Sequence, residues 1–142
     1  MDFLKKRNIL EPDQLPLILM ADDDNEDCML AKDAFDAAET CCLMQFVPDG
    51  LELLKFLSGA DTLPSLILLD LNMPQKDGRQ ALIEIKSEPA LQHIPIVILT
   101  TSELQEDVDL TLKAGAELFI TKPATFDEWV EMMKSPAERW LR

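Results

Sequence analysis

Histidine is almost missing from this chain of 142 residues: His93, in the stretch "LQHIP", is the only one. A lone imidazole there reads as a loop or packing residue, which excludes Ser-His triads and His-rich metal centres. Cysteine is scarce too. Cys28 and the adjacent Cys41 and Cys42 cannot all pair within the chain, so reduced thiols and a cytoplasmic location are expected. Basic residues are outnumbered, 13 Lys and Arg against 27 Asp and Glu, leaving a net charge of −14. Nucleic acid is excluded on that balance, because its phosphates need Lys and Arg to neutralise them. The opening "MDFLKKRNILEP" lacks an apolar run of signal-peptide length, and no stretch approaches the roughly 20 apolar residues of a membrane span. No membrane insertion is expected.

What is present suits one globular domain. Apolar residues make up 47% of the chain, enough for a single sizeable core, while aromatics are only 6%. The expected organisation is an N-terminal extension over residues 1–14, a domain over 15–134 and a short extension over 135–142. That leaves no room for a DNA-binding output module.

Short apolar runs alternate with amphipathic segments. "PLILMA" (16–21) reads as a buried strand, since four apolar residues follow Pro16 without polar alternation. Leu30, Ala31, Ala34, Phe35 and Ala38 then recur at helical spacing. "LMQFV" (43–47) is a second strand; Pro48-Asp49-Gly50 turns into a helix carrying Leu53, Leu54 and Leu57. "SLILLD" (65–70) is the third strand, followed by a helix marked by Ala81, Leu82 and Ile85. "IPIVILT" (94–100) is the fourth and most β-branched, and Leu104, Val108 and Leu112 line a helix that closes at Gly115. "ELFIT" (117–121) is a fifth strand and "TFDEWVEMMK" (125–134) a fifth helix. Pro136 is expected to end that helix, leaving "SPAERWLR" as a separate terminal turn or short helix capped by Ser135. Five β-α units imply a doubly wound five-stranded parallel sheet, most simply in the flavodoxin-like order 2-1-3-4-5.

In such sheets ligands gather outside the carboxyl ends of the strands, where strand order reverses. The first strand ends in Asp22-Asp23-Asp24, the third in Asp70, the fourth in Thr100 and the fifth in Lys122-Pro123. In the order 2-1-3-4-5, Asp22, Asp23 and Asp70 converge, with Thr100 and Lys122 on the far side of Asp70. Three carboxylates so close repel one another, so one stays protonated or all share a cation. An oxygen-rich site of that size suits Mg²⁺ or Mn²⁺, which use few protein ligands. Asp70, at the centre of the row, is placed to attack phosphorus as a nucleophile, with a fixed ammonium and a hydroxyl to hold the other oxygens. Each residue also has an ordinary structural role open to it. Asp22, Asp23 or Asp24 suits a helix N-terminus, Thr100 suits a cap, Lys122 a solvated charge and Asp70 a turn.

The ordered set of the acid pair, "LLDLNMPQKDG", "VILTTS" and "FITKPAT" resembles the receiver domain of two-component response regulators from residue 16 to about 134. The further likeness is to stand-alone regulators paired with phytochrome-type sensor kinases. The resemblance implies that Asp70 is the phosphoacceptor and Asp23 a direct Mg²⁺ ligand. Asp22 would act through metal-bound water, and Asn72 would lend its backbone carbonyl. Thr100 and Lys122 would each hold a phosphoryl oxygen. Phe119 falls where the family carries an aromatic switch residue, though an ordinary core aromatic fits the position as well. The Lys122-Pro123 bond is one the family often has in cis.

The resemblance implies, finally, a protein that is not an enzyme beyond its own phosphorylation and dephosphorylation. Its partners would be a sensor histidine kinase or phosphotransfer protein, a downstream protein target and, in some relatives, a second copy in a homodimer. Glu103, Glu106, Asp107 and Asp109 at the start of the fourth helix suggest that the target surface is basic or polar, unless they form only a solvated face. Asp24 and the terminal "SPAERWLR" depart from the common pattern. Two other classes share some of these features. A pseudo-receiver that binds partners without phosphorylation would normally have lost one of the acids, Thr100 or Lys122. A Mg²⁺-dependent aspartyl-phosphate hydrolase of the dehalogenase type needs an Asp where this chain has Asn72, and a larger cap region.

Overall fold

The computed structural model describes residues 15–141; the expected extension over residues 1–14 lies outside them, as does Arg142. Five strands, β1 (Leu17–Ala21), β2 (Leu43–Val47), β3 (Leu66–Leu69), β4 (Ile96–Thr100) and β5 (Leu118–Thr121), alternate with five helices. The helices are α1 (Asn25–Ala37), α2 (Gly50–Gly59), α3 (Gly78–Ser87), α4 (Gln105–Lys113) and α5 (Phe126–Trp140). All strands pair in parallel in the order β2-β1-β3-β4-β5. The doubly wound, flavodoxin-like architecture expected from the alternation of elements is therefore the one observed.

The strands are apolar throughout because both faces are covered. Ile18, Met20, Leu66, Leu68, Val97, Leu99 and Ile120 point to one side, where Ala31, Ala34 and Phe35 of α1 and Trp129 and Met133 of α5 bury them. Leu19, Ala21, Ile67, Leu69, Ile96 and Ile98 point to the other, under Leu53 and Leu57 of α2 and Ala81, Leu82 and Ile85 of α3. A period of two in the strands and of 3.6 in the helices produces this split without further instruction. Four helices start on a side chain that accepts backbone N–H groups: Asp24 for α1, Asp49 for α2, Asp77 for α3 and Thr125, in a capping box with Glu128, for α5.

Two expectations about helices are corrected. Helix α5 runs through Pro136 to Trp140, so residues from Ser135 onward form no separate turn. Pro136 forfeits one helical hydrogen bond. Even so, Trp129, Met133, Pro136 and Ala137 recur at i, i+4, i+7 and i+8 and are all buried, so the apolar stripe carries the helix past the break. Helix α4 is the second case. Its buried residues are Asp107 and Thr111, whereas Leu104 before it and Leu110 and Leu112 within it are exposed. The helix packs along the edge strand β5, and polar partners on α3 and in the preceding loop turn its Asp107 side inward. The acidic surface expected on α4 accordingly loses Asp107, while Glu103, Glu106 and Asp109 remain exposed.

The sheet register aligns the functional edge. Ala21 lies opposite Leu69, Leu69 opposite Ile98, and Thr100 opposite Thr121, so Asp22, Asp70, Thr100 and Lys122 emerge together. Backbone hydrogen bonds fix the exits: Asp70 N–H donates to the Ala21 carbonyl (3.0 Å) and Lys122 N–H to the Thr100 carbonyl (2.7 Å). The loop from Asp70 to Asp77 is folded back by two glycines. Gly50 N–H donates to the Lys76 carbonyl (2.9 Å), and Gly78 N–H to the Leu71 carbonyl (3.0 Å). A Cβ on Gly78 would meet the Asp70 carbonyl oxygen at 2.0 Å, so only glycine allows this approach. Gly78→Ala is expected to lower stability by roughly 2–3 kcal/mol in urea unfolding, because backbone cannot yield as a side chain can. Gly59→Ala, with nothing within 4 Å of the added carbon, is the control and should match wild type or exceed it.

Candidate functional site

The pocket at the carboxyl edge is built around one ammonium. Lys122, whose side chain is only 8% exposed, places Nζ 2.8 Å from Asp22 Oδ2, 2.7 Å from Asp27 Oδ2 and 3.4 Å from Asp70 Oδ2. A solvated role for Lys122 is thus ruled out by its position. The Lys122-Pro123 bond is trans, like every other peptide bond of the described residues, which corrects the expected cis isomer. Trans is the lower-energy isomer, and with it the ammonium already reaches all three carboxylates.

Asp22 and Asp70 are buried and Asp23 is exposed, yet one oxygen of each lies within 4.8 Å of the others. Asp22 Oδ1 accepts the Asp24 N–H at 2.9 Å. Its Oδ2 is shut away from solvent in contact with Lys122, but at an angle that leaves it without a well-aligned hydrogen bond. Burial pushes the Asp22 carboxyl up to about 6; the neighbouring ammonium opposes that rise and the Asp70 charge adds to it. Burial works against the Lys122 charge as well, but contacts with Asp22 and Asp27 and the nearby Asp70 outweigh it, and Lys122 titrates above its ordinary value.

The remaining expected residues divide. Thr100, fully buried at the end of β4, has a hydroxyl with no hydrogen-bond partner and caps no helix. Asn72 is exposed in the loop after β3, its N–H directed at Asp70 Oδ1 (3.4 Å). Phe119 lies opposite Ile98 in the sheet, half-buried against the core beneath α2 and α3. Asp24 faces away from the pocket and accepts the N–H groups of Glu26 and Asp27 as the cap of α1. One participant carried no motif: Asp27, the nearest contact of Lys122. Its signal is positional. Three residues after the Asp24 cap, it stands in the first turn of α1, over the same edge of the sheet.

The residues present fit a divalent cation. Three carboxylates (Asp22, Asp27 and Asp70) meet one ammonium, Asp23 has an oxygen within 4.8 Å of those of Asp22 and Asp70, and Asp22 and Asp70 are buried. Hard oxygen donors of this kind suit Mg²⁺ or Mn²⁺. An anionic group arriving at Asp70 would find the Lys122 ammonium and, at the end of the neighbouring strand, the unmatched Thr100 hydroxyl.

Comparison with known proteins agrees with this geometry. Residues 18–134 match the family described as the response regulator receiver domain. The chain is 33% identical over 130 residues to the response regulator Rcp1 of Synechocystis sp., covering 88% of each chain. Among solved structures, the phosphorylated cyanobacterial phytochrome response regulator RcpA superposes with a TM-score of 0.83 at 34% identity, covering 89% of this chain and 94% of that one. The Mn²⁺-bound form of Rcp1 superposes with a TM-score of 0.80 at 32% identity, covering 89% and 95%. No described helix is long and apolar enough to cross a membrane. With its sheet order, its acidic edge and its sequence in agreement, this chain belongs to the response regulator receiver domain family of two-component systems.

Proposed function

We propose that Asp70 accepts a phosphoryl group from a phosphohistidine on a sensor kinase or phosphotransfer protein, in a Mg²⁺-dependent reaction. The unit that does so spans residues 15–134 and works in the cytoplasm, away from membrane and nucleic acid. The observation that carries this reading is the meeting of Asp22, Asp23 and Asp70 within 4.8 Å, beside a buried Lys122. Likeness to the phytochrome response regulator RcpA supports a phytochrome-type kinase as the donor.

An Asp70 carboxylate oxygen attacks phosphorus, the N–P bond of the donor breaks, and the imidazole leaves and takes up a proton. Asp22, Asp23, Asp70 and the Asn72 carbonyl would hold the Mg²⁺, which supplies charge neutralisation for the approach of two anions. Lys122 binds one phosphoryl oxygen as a point charge, with Asp22 and Asp27 aligning it. The Thr100 hydroxyl donates to another oxygen. Hydrolysis of the acyl phosphate returns the chain to rest, so the protein acts as a switch and catalyses only its own modification. Movement of the segment after β4, with Phe119 following, alters α4. Its exposed Leu104, Leu110 and Leu112, ringed by Glu103, Glu106 and Asp109, offer the downstream target or a second copy a mixed apolar and acidic surface.

Purified protein with Mg²⁺ and a small acyl-phosphate donor should gain one phosphoryl group by intact-mass measurement. Asp70→Asn abolishes the gain, and hydroxylamine removes the label from wild type. A label that survives either treatment rules out an acyl phosphate on Asp70.

Thr100→Val tests the orphaned hydroxyl. Removing a buried donor that has no acceptor should raise the stability of the unphosphorylated protein by about 1 kcal/mol in urea unfolding. The same change should blunt the phosphorylation-dependent shift in backbone amide spectra.

Asp22 sets a pH dependence. Its folded value of about 6 lies above the ordinary aspartate value of about 3.9, so the folded state holds this proton more tightly than the unfolded one. Asp22 therefore stabilises the metal-free protein at low pH, and that contribution is lost as pH rises from about 4 to about 6. Urea midpoints measured without metal should show this decline, and Asp22→Asn should flatten it.

A further inference from the structure

Helix α4 is held differently from the other four described helices. It buries no large apolar side chain, and its inward face is Asp107 and Thr111. Asp107 is the hub. Its Oδ1 accepts from Arg79 Nε (2.8 Å), and its Oδ2 accepts from Arg79 Nη2 (2.8 Å) and from the Ser102 hydroxyl (2.6 Å). The Thr111 hydroxyl donates to the Asp107 carbonyl at 2.7 Å. Arg79 and then Ser102 hold the Asp107 carboxyl below its usual range, as expected for a carboxylate whose charge is fully used.

The two ends of this network lead to the two halves of the phosphorylation site. Arg79 follows Gly78, whose backbone is pressed against the Asp70 carbonyl. Ser102 lies two residues beyond Thr100; its carbonyl accepts the Thr121 hydroxyl (3.3 Å) and its Oγ accepts the Leu104 N–H (3.2 Å). The Thr100 hydroxyl has no partner in this arrangement, so a phosphoryl oxygen on Asp70 would offer it an acceptor and pull on the chain at Thr100. Ser102 is only two residues from Thr100, so a shift of the chain there would reach it, and a forked pair with contacts of 2.8 Å tolerates little displacement. Helix α4 has no fully buried large apolar side chain to hold the segment once that pair gives way: Val108 is half-buried and Ala114 meets the core only at the C-cap.

We propose that Arg79, Asp107 and Ser102 form a latch between α3 and the segment joining β4 to α4, which favours the unphosphorylated arrangement and sets the threshold at which an acyl phosphate on Asp70 moves Thr100 and α4. The latch rests on the aspartyl-phosphate reading given above. Its members are positioning residues, since none of them touches the phosphoryl group. A ligand shifts a two-state equilibrium only by its preference for one state. Contacts made in the resting state alone therefore raise the occupancy that phosphorylation must reach, and cutting them lowers it.

Wild type, Arg79→Gln and Ser102→Ala, each as the full chain, are compared in three measurements. Hydrogen exchange over residues 101–108 reads the looseness of the segment. A titration with beryllofluoride, a phosphoryl mimic, at saturating Mg²⁺ reads the threshold through the amide spectrum. Calorimetry reads Mg²⁺ affinity. Both variants should exchange at least about 5-fold faster over 101–108 and respond at a beryllofluoride midpoint about 3- to 10-fold lower, with the Mg²⁺ Kd unchanged. Ser102→Ala removes only one hydroxyl, so it answers the question if Arg79→Gln fails to fold. Faster exchange with an unchanged midpoint would overturn the threshold, leaving Asp107 a purely structural tie, and so would exchange that matches wild type in both variants. A wild-type protein that ignores beryllofluoride would instead overturn the aspartyl-phosphate reading, and the threshold with it.

Discussion

A single ammonium must answer for several carboxylates at the edge of this sheet, and the rest of the site follows from that imbalance. Lys122 lies within 3.4 Å of oxygens from Asp22, Asp27 and Asp70, with Asp23 close beyond. Two unit charges about 4 Å apart interact by roughly 4 kcal/mol at an effective dielectric near 20, so one cation cannot offset every carboxylate pair around it. The chain relieves the excess in part by raising Asp22 to about 6. The remainder is standing affinity for positive charge, which a divalent ion satisfies. A pocket that stays electrostatically unfinished is also one that a doubly charged anion would enter only together with a cation, which ties the proposed phosphoryl transfer to metal.

Apolar packing holds helices on both faces of the sheet, and α4 is the exception. Helices α1, α2, α3 and α5 each bury several apolar side chains, each such burial stabilising by about 1.5–3 kcal/mol, and none can slide without opening a cavity. Helix α4 has only polar groups on its inward face and leaves Leu110 and Leu112 in solvent. Directional contacts of that kind are lost together or kept together, which suits an element with two positions better than one with a continuum. The helix with no large buried apolar side chain is thus the one beside the residue, Thr100, that has an unmet hydrogen bond.

The strands and the site acids were legible because their signals are local. Runs such as Leu66 to Leu69 have no polar alternation, and a parallel sheet follows from the βα repeat. Asp22, Asp70, Thr100 and Lys122 each close a strand, so strand order alone brings them together. Helix α4 was misjudged because Leu104, Val108 and Leu112 carry an apolar period, whereas the fold turns the Asp107 side inward. That choice depends on Arg79, 28 residues away in sequence. Pro136 misled for the opposite reason: its local helix-breaking effect is real, but Trp129, Met133 and Ala137 bury the stripe on either side of it. Asp27 went unnoticed because acids in a first helical turn are favourable wherever they occur. Only the contact with Lys122, 95 residues on, distinguishes it from Glu26.

Rigidity is unevenly distributed across the pocket, and under the proposed aspartyl-phosphate reading that asymmetry would give the response a direction. On the Asp70 side, Gly78 is pressed against the Asp70 carbonyl and Gly50 N–H grips the Lys76 carbonyl, so backbone is locked to backbone. On the Thr100 side, beyond the last strand pair, the chain is held by side-chain contacts to Ser102 and Asp107. When a new charge at Asp70 pulls on its surroundings, the locked side cannot answer, so the response falls on the segment that only side chains restrain. A fold that packed both sides equally well would bind the same phosphoryl group and leave α4 where it was.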